Sequence, residues 1–130
     1  MTEAEQITLV ERYFAAVDGE DLDAVLATLQ ADCIFTVETH GVALNGHEEI
    51  SGMLRRLWAN HRAVKHHSFV HVANPASDRI ASRFTVENTE KDGRITHKSN
   101  CNFFEITAGK FARVAVYMAG QNTLDRNTQA

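Results

Sequence analysis

Past Asn60 the chain runs through four stretches rich in β-branched and aromatic residues: Val64 to Ala73, Arg79 to Asn88, Arg94 to Thr107 and Lys110 to Ala119. What separates them is turn chemistry alone. Asn74-Pro75-Ala76-Ser77-Asp78 reads as a loop, Lys91-Asp92-Gly93 carries an Asp-Gly hairpin signal, and Ala108-Gly109 makes a short reversal. Connections this short cannot carry a crossover helix, so the four strands are expected to be antiparallel neighbours.

The first half of the chain has a different period. Ile7, Val10, Phe14 and Val17, widened by Leu9 and Tyr13, form a helical stripe from Glu3 to Val17. Asp18-Gly19-Glu20 breaks it, and Asp21 offers an N-cap to a second short helix marked by Leu22, Val25, Leu26 and Leu29. Cys33 to Thr39 reads as a strand, followed by a loop through Gly41 and a short extended Val42-Ala43-Leu44. Asn45 and Glu48 resemble a capping box for a third helix whose apolar face is Ile50, Met53, Leu54, Leu57 and Trp58. Helices gathered early and hairpins late give an α+β fold in the order α-α-β-α-β-β-β-β, rather than alternating βαβ units. One domain over residues 1–130 is expected, with a polar tail from Gln121 that frays.

Composition narrows the function. No run approaches the roughly 18 consecutive apolar residues of a membrane span, and the acidic start lacks the basic region of a signal peptide, so a cytoplasmic protein is expected. The net charge of -4 is spread without blocks, and basic residues form only short pairs such as Arg55-Arg56, which argues against nucleic-acid binding. Cys33 and Cys101 lack metal-ligand spacing and receive no chemistry.

The segments ERYFAAVDGEDLDAVLATLQADC, LNGHEEI and NFFEITAGKFARVAVY resemble the nuclear transport factor 2-like superfamily, closest to its SnoaL-like polyketide cyclase and ketosteroid isomerase branch. The resemblance covers nearly the whole chain. It implies a cone-shaped, curved antiparallel sheet covered by three helices around a pocket, and a homodimer through the outer sheet face. In ketosteroid isomerases a tyrosine on the first helix and a protonated aspartate on a late strand form the oxyanion hole, while a first-strand aspartate moves the proton. The tyrosine maps onto Tyr13 and the late-strand aspartate onto Asn102. The first-strand base falls on Val37, with Glu38 one residue further on, where a bulge would be needed to turn it inward.

The candidate catalytic residues are therefore Tyr13, Asn102, Glu38 and His66. A protonated phenol and an amide can both donate to a developing oxyanion. Of the cluster His66, His67 and His71, strand alternation puts His66 with Ser68, Val70 and Val72, and His67 with His71. His66 thereby shares the more apolar face and suits acid/base work, whereas two histidines on one strand do not define a metal site. His40, His47, His61 and His97 read as surface residues. Asn100 shares the Asn102 face, and Lys98 reads as a solvated amine.

Phe35, Val37, Trp58, Phe84, Val86, Val116 and Met118 are expected to line the pocket with Asn100, and Tyr117, Phe111 and Arg113 to lie at the dimer face. Such a pocket fits a small hydrophobic carbonyl compound, isomerised, cyclised or dehydrated by proton transfer without a cofactor. The other reading is a noncatalytic small-molecule-binding or dimerisation module, favoured by Val37 and Asn102 at the two aspartate positions.

Overall fold

The computed structural model describes residues 1–120; the tail expected to fray from Gln121 lies outside the described residues. The first helix, α1 (Glu3–Asp18), opens with a capping box: the Thr2 hydroxyl accepts from the Glu5 N–H at 3.1 Å and the Glu5 carboxylate accepts from the Thr2 N–H at 2.8 Å. Two N–H groups that the helix start would leave unpaired are thus satisfied. Asp21 caps α2 (Leu22–Leu26) by accepting from the Ala24 N–H at 3.1 Å.

The second helix stops before Leu29, which was expected to belong to it. Instead, the Thr28 carbonyl accepts from the Phe111 N–H at 2.8 Å, and Leu29 begins β1 (Leu29–Val37) opposite Phe111. Pairing with a distant strand here overrides local helix propensity. A 3₁₀ turn (Glu38–His40) leads to β2 (Val42–Asn45) and then α3 (Gly46–Asn60). Asn45 makes no side-chain cap; its N–H donates to the Glu49 carboxylate at 2.6 Å, so the acidic partner sits one residue later than the sequence pattern indicates.

Then come β3 (Ala63–Asn74), β4 (Arg79–Thr89), β5 (Ile95–Thr107) and β6 (Lys110–Tyr117). All six strands form one curved, open sheet in the order β2-β1-β6-β5-β4-β3. The last four are antiparallel neighbours, as their turns require. The sheet is mixed rather than wholly antiparallel, because β1 runs parallel to β6, with Phe35 opposite Val114 and Val37 opposite Val116. A long connection leaves strand direction open where a two-residue turn does not.

Two irregularities decide which side chains face the helices. In β3 the pairing shifts between His67–Thr85 and Val70–Arg83, and Ser68 adopts φ 60°. The extra residue reverses the alternation, so His66 shares its face with Phe69 and His71 rather than with Ser68, Val70 and Val72. In β6 the pairing shifts between Glu105–Arg113 and Ile106–Phe111, leaving Ala112 as the extra residue. Phe111 is consequently fully buried, its ring 4.5 Å from Phe104 and 5.9 Å from Tyr13, instead of lying on the outer face. Tyr117 and Phe103 remain partly exposed there.

The helices cover the other face, α1 across β3 and α3 across β1. No helix among the described residues is long and apolar enough to cross a membrane. Because Phe111 is a core residue, Phe111→Ala should destabilise the chain by about 3–5 kcal/mol in urea unfolding, a loss too large for an exposed interface position.

Candidate functional site

Between α1, α3 and the inner sheet face lies a cavity of about 60 Å³. A single water needs roughly 10–15 Å³ on the same measure, so the space holds several waters or a small organic molecule. Phe14 and Val17 on α1, Met53, Leu54 and Leu57 on α3, and Val64 on β3 supply much of its apolar wall. The sequence pattern marks most of these only as core. Of the lining expected from sequence, Phe35, Phe84, Val86, Asn100, Val116 and Met118 are present. Val37 and Trp58 are not. Val37 packs in the core at 1% exposure, and the Trp58 indole N–H donates to the Val17 carbonyl at 2.9 Å, tying α3 to the end of α1.

The polar groups are distributed around this wall. Tyr13 enters from α1 with its ring edge-on to Phe14 at 4.9 Å, and its residue is 4% exposed. Burial, reinforced by Cys33 and Asp18, pushes its phenol well above the ordinary tyrosine range. Asn102 reaches in from β5, and its Oδ1 has no hydrogen-bond partner among the described residues. Asn88 on β4, which the sequence pattern does not single out, lines the cavity with its Oδ1 in the same condition. Asn100 differs, since its Oδ1 accepts from the Ala119 N–H at 3.1 Å.

His66 is the titratable group whose setting is most developed. Its Nδ1–H donates to Asp18 Oδ1 at 2.6 Å, and its backbone N–H donates to Asp18 Oδ2 at 2.7 Å. The ring packs 4.5 Å from Phe14 and 5.4 Å from Phe84 and lines the cavity. A carboxylate on Nδ1 fixes the tautomer and leaves Nε2 as the basic nitrogen. Sequence reading passes over Asp18 as part of a helix break. A signal was available, because an acidic residue in the last turn opposes the helix dipole and so calls for another partner.

Glu38 is not brought to this site. It sits in the 3₁₀ turn beyond β1, accepting from the Thr36 hydroxyl at 2.5 Å and from Arg113 at 3.3 Å. Those bonds, Thr36 first, hold its carboxyl below the usual glutamate range. The irregularity in β1 falls between Leu29 and Ile34, upstream of the point where it would turn Glu38 inward.

Lys98, read from sequence as solvated, lines the cavity and is only partly exposed; burial lowers its amine below the usual lysine range, against the raising effect of Glu90. His61 is likewise not at the surface: it is 4% exposed, with Nδ1–H donating to the Leu57 carbonyl at 2.9 Å and Nε2 3.8 Å from Glu90. His71 bridges Ser82 at 2.8 Å and Glu11 at 3.0 Å outside the cavity lining. Among the described residues no three or more His, Cys, Asp or Glu side chains are grouped to hold a metal ion. The buried Cys33 thiol is pushed up to about 12, chiefly by burial, which disfavours the thiolate.

The burial of Tyr13 has a measurable consequence. Folding disfavours its phenolate, so the associated stability is present below pH ~10 and is lost as pH rises beyond that value. In a Tyr117→Phe chain, leaving Tyr13 as the lone tyrosine, tyrosinate absorbance should appear only with unfolding, which circular dichroism would follow in the same titration.

A family model for the SnoaL-like domain matches residues 10–114. No curated protein matches the sequence. The chain is similar in structure to a proposed polyketide cyclase of Xanthomonas campestris pv. campestris, at 23% identity over 88% of this chain and 90% of that one, with a TM-score of 0.80. A second proposed polyketide cyclase, from Pseudomonas putida KT2440, shares 26% identity over 84% and 87% of the two chains, with a TM-score of 0.76. TerC, co-crystallised with polyporic acid, is 16% identical over 88% and 92%, with a TM-score of 0.77. Sharing its fold with nuclear transport factor 2-like proteins and matched along most of its length by that model, the chain belongs to the SnoaL-like domain family.

Proposed function

We propose that the chain is an enzyme that moves a proton on a small hydrophobic carbonyl compound, with His66 as the base and Asp18 as its orienting partner. The observation that carries this reading is the Asp18–His66 bond at 2.6 Å on a ring that lines an apolar cavity. His66 Nε2 takes the proton from the carbon beside the carbonyl, and the electron pair moves onto the carbonyl oxygen. Tyr13 O–H and the Asn102 amide N–H donate to that oxygen as charge develops. The imidazolium then returns the proton to another carbon, which isomerises the substrate, or to a departing hydroxyl, which dehydrates it. Oxidation state is unchanged throughout, so the chemistry needs no redox cofactor. Similarity to proposed polyketide cyclases and to TerC supports a small-molecule reaction of this kind.

One observation favours a noncatalytic binding module instead. Asp18 also takes the His66 backbone N–H, which is a structural clamp irrespective of chemistry. Deuterium exchange separates the readings. With 2-indanone in D₂O, the full chain should accelerate exchange beside the carbonyl, and His66→Asn should remove about 10²–10⁴-fold of that acceleration. Tyr13→Phe should lower it by about 10²-fold. Exchange no faster than in buffer, or unaltered in His66→Asn, would leave the binding module as the better account.

For the homodimer we propose the outer-face row Val72, Ala81, Phe103 and Ala115, aligned across β3, β4, β5 and β6. Phe103→Arg should then give a monomer by sedimentation velocity, with its circular dichroism preserved.

A further inference from the structure

Among the described residues the cavity lining contains Lys98, His66 and three asparagines, but no aspartate or glutamate; Asp18 meets His66, and Glu90 acts on Lys98, from outside it. Lys98 stands in the cross-strand row of the base, since His66 pairs with Val86 and Val86 with Lys98. At the ordinary strand spacing this puts the two backbones about 10 Å apart, leaving room for a few ligand atoms between the side chains. Burial lowers the Lys98 amine, and Glu90, which lies outside the lining and also faces His61 and Thr96, opposes that effect in favour of the charged form.

Asn100 lies two residues along β5 on the same face, roughly 7 Å on. Its residue is 8% exposed and its Oδ1 is already occupied by the Ala119 N–H. What it has left to offer is its amide N–H pair. Lys98 and Asn100 therefore present donors alone, an arrangement that complements an anion with two oxygens. In a largely apolar cavity such an anion is held far more strongly than at an exposed lysine.

We propose that Lys98 and Asn100 form a carboxylate subsite, so that the compound acted on is a small apolar carbonyl compound that also carries a carboxylate. The inference rests on the carbonyl reading above and adds the substrate class. With its carboxylate on Lys98 and Asn100, such a molecule reaches across Val86 towards His66, in the row of Lys98, and along β5 towards Asn102.

Binding alone tests the subsite, by calorimetry on the full chain with benzoate and with benzamide, its uncharged counterpart. Benzoate should bind about tenfold more tightly, the equivalent of about 1.4 kcal/mol. Lys98→Met should abolish the preference while retaining benzamide binding, Lys98→Arg should keep it, and Asn100→Asp should weaken benzoate selectively. Equal affinities, a preference that survives Lys98→Met, or failure of both probes to bind would each overturn the subsite. Benzoate has no exchangeable proton beside its carboxyl carbon, so this result is independent of His66. A benzoate preference without 2-indanone exchange would retain the subsite and remove the acid–base reading, and exchange without the preference would do the reverse.

Discussion

The carboxylate of Asp18 holds two groups of one residue on another element, and the arrangement of the site follows from that bond pair. An acid in the last turn of a helix is opposed by the carbonyl end of the dipole. Here the opposition is offset by the backbone and ring N–H groups of His66, both within 2.7 Å. The end of α1 is thereby fixed on β3, and Phe14, one turn back, lies against the His66 ring. Trp58 adds a bond from α3 to the Val17 carbonyl at the same helix end. Three elements meet there, so the position of the imidazole is set by the junction as well as by its own strand.

Much of this fold is legible in the sequence wherever a local signal decides it. The Asp92-Gly93 and Ala108-Gly109 reversals specify which strands are neighbours, and the apolar stripe through Val10, Phe14 and Val17 gives the buried face of α1. Asn102 and Asn100 are placed inward by alternation on β5, which has no interruption against β4. Alternation fails where a strand contains an extra residue. Ser68 and Ala112 are such residues, and each reverses the face of an aromatic or titratable neighbour without a proline or glycine to mark it. The parallel pairing of β1 with β6 was equally hidden, because it joins segments about eighty residues apart. His61 and Lys98 look exposed in the sequence for a related reason: both stand near element ends, while what covers them comes from distant parts of the chain.

The cavity also shows where packing yields to polarity. Asn88 and Asn102 turn carbonyl oxygens into the cavity that have no donor among the described residues, so their partner there is water or a ligand. Around them the wall is built of phenylalanine, valine, leucine and methionine. A chain selected only for stability would continue that apolar surface across both positions. Their presence sets this part of the inner face apart from the ring cluster of Phe104 and Phe111, whose rings stack 4.5 Å apart at 0% exposure.

The bulge at Ser68 has a second consequence, unconnected with the imidazole. β3 is the last strand of the sheet, twelve residues long, and Val70 and Val72 are exposed along it. A straight strand of that kind would present an uninterrupted row of N–H and C=O groups on which another chain could build. The left-handed turn at Ser68 breaks the row near its middle and twists the two halves apart. The same extra residue that turns Phe69 and His71 to the face of His66 thus makes the open border of the sheet a poor template for aggregation.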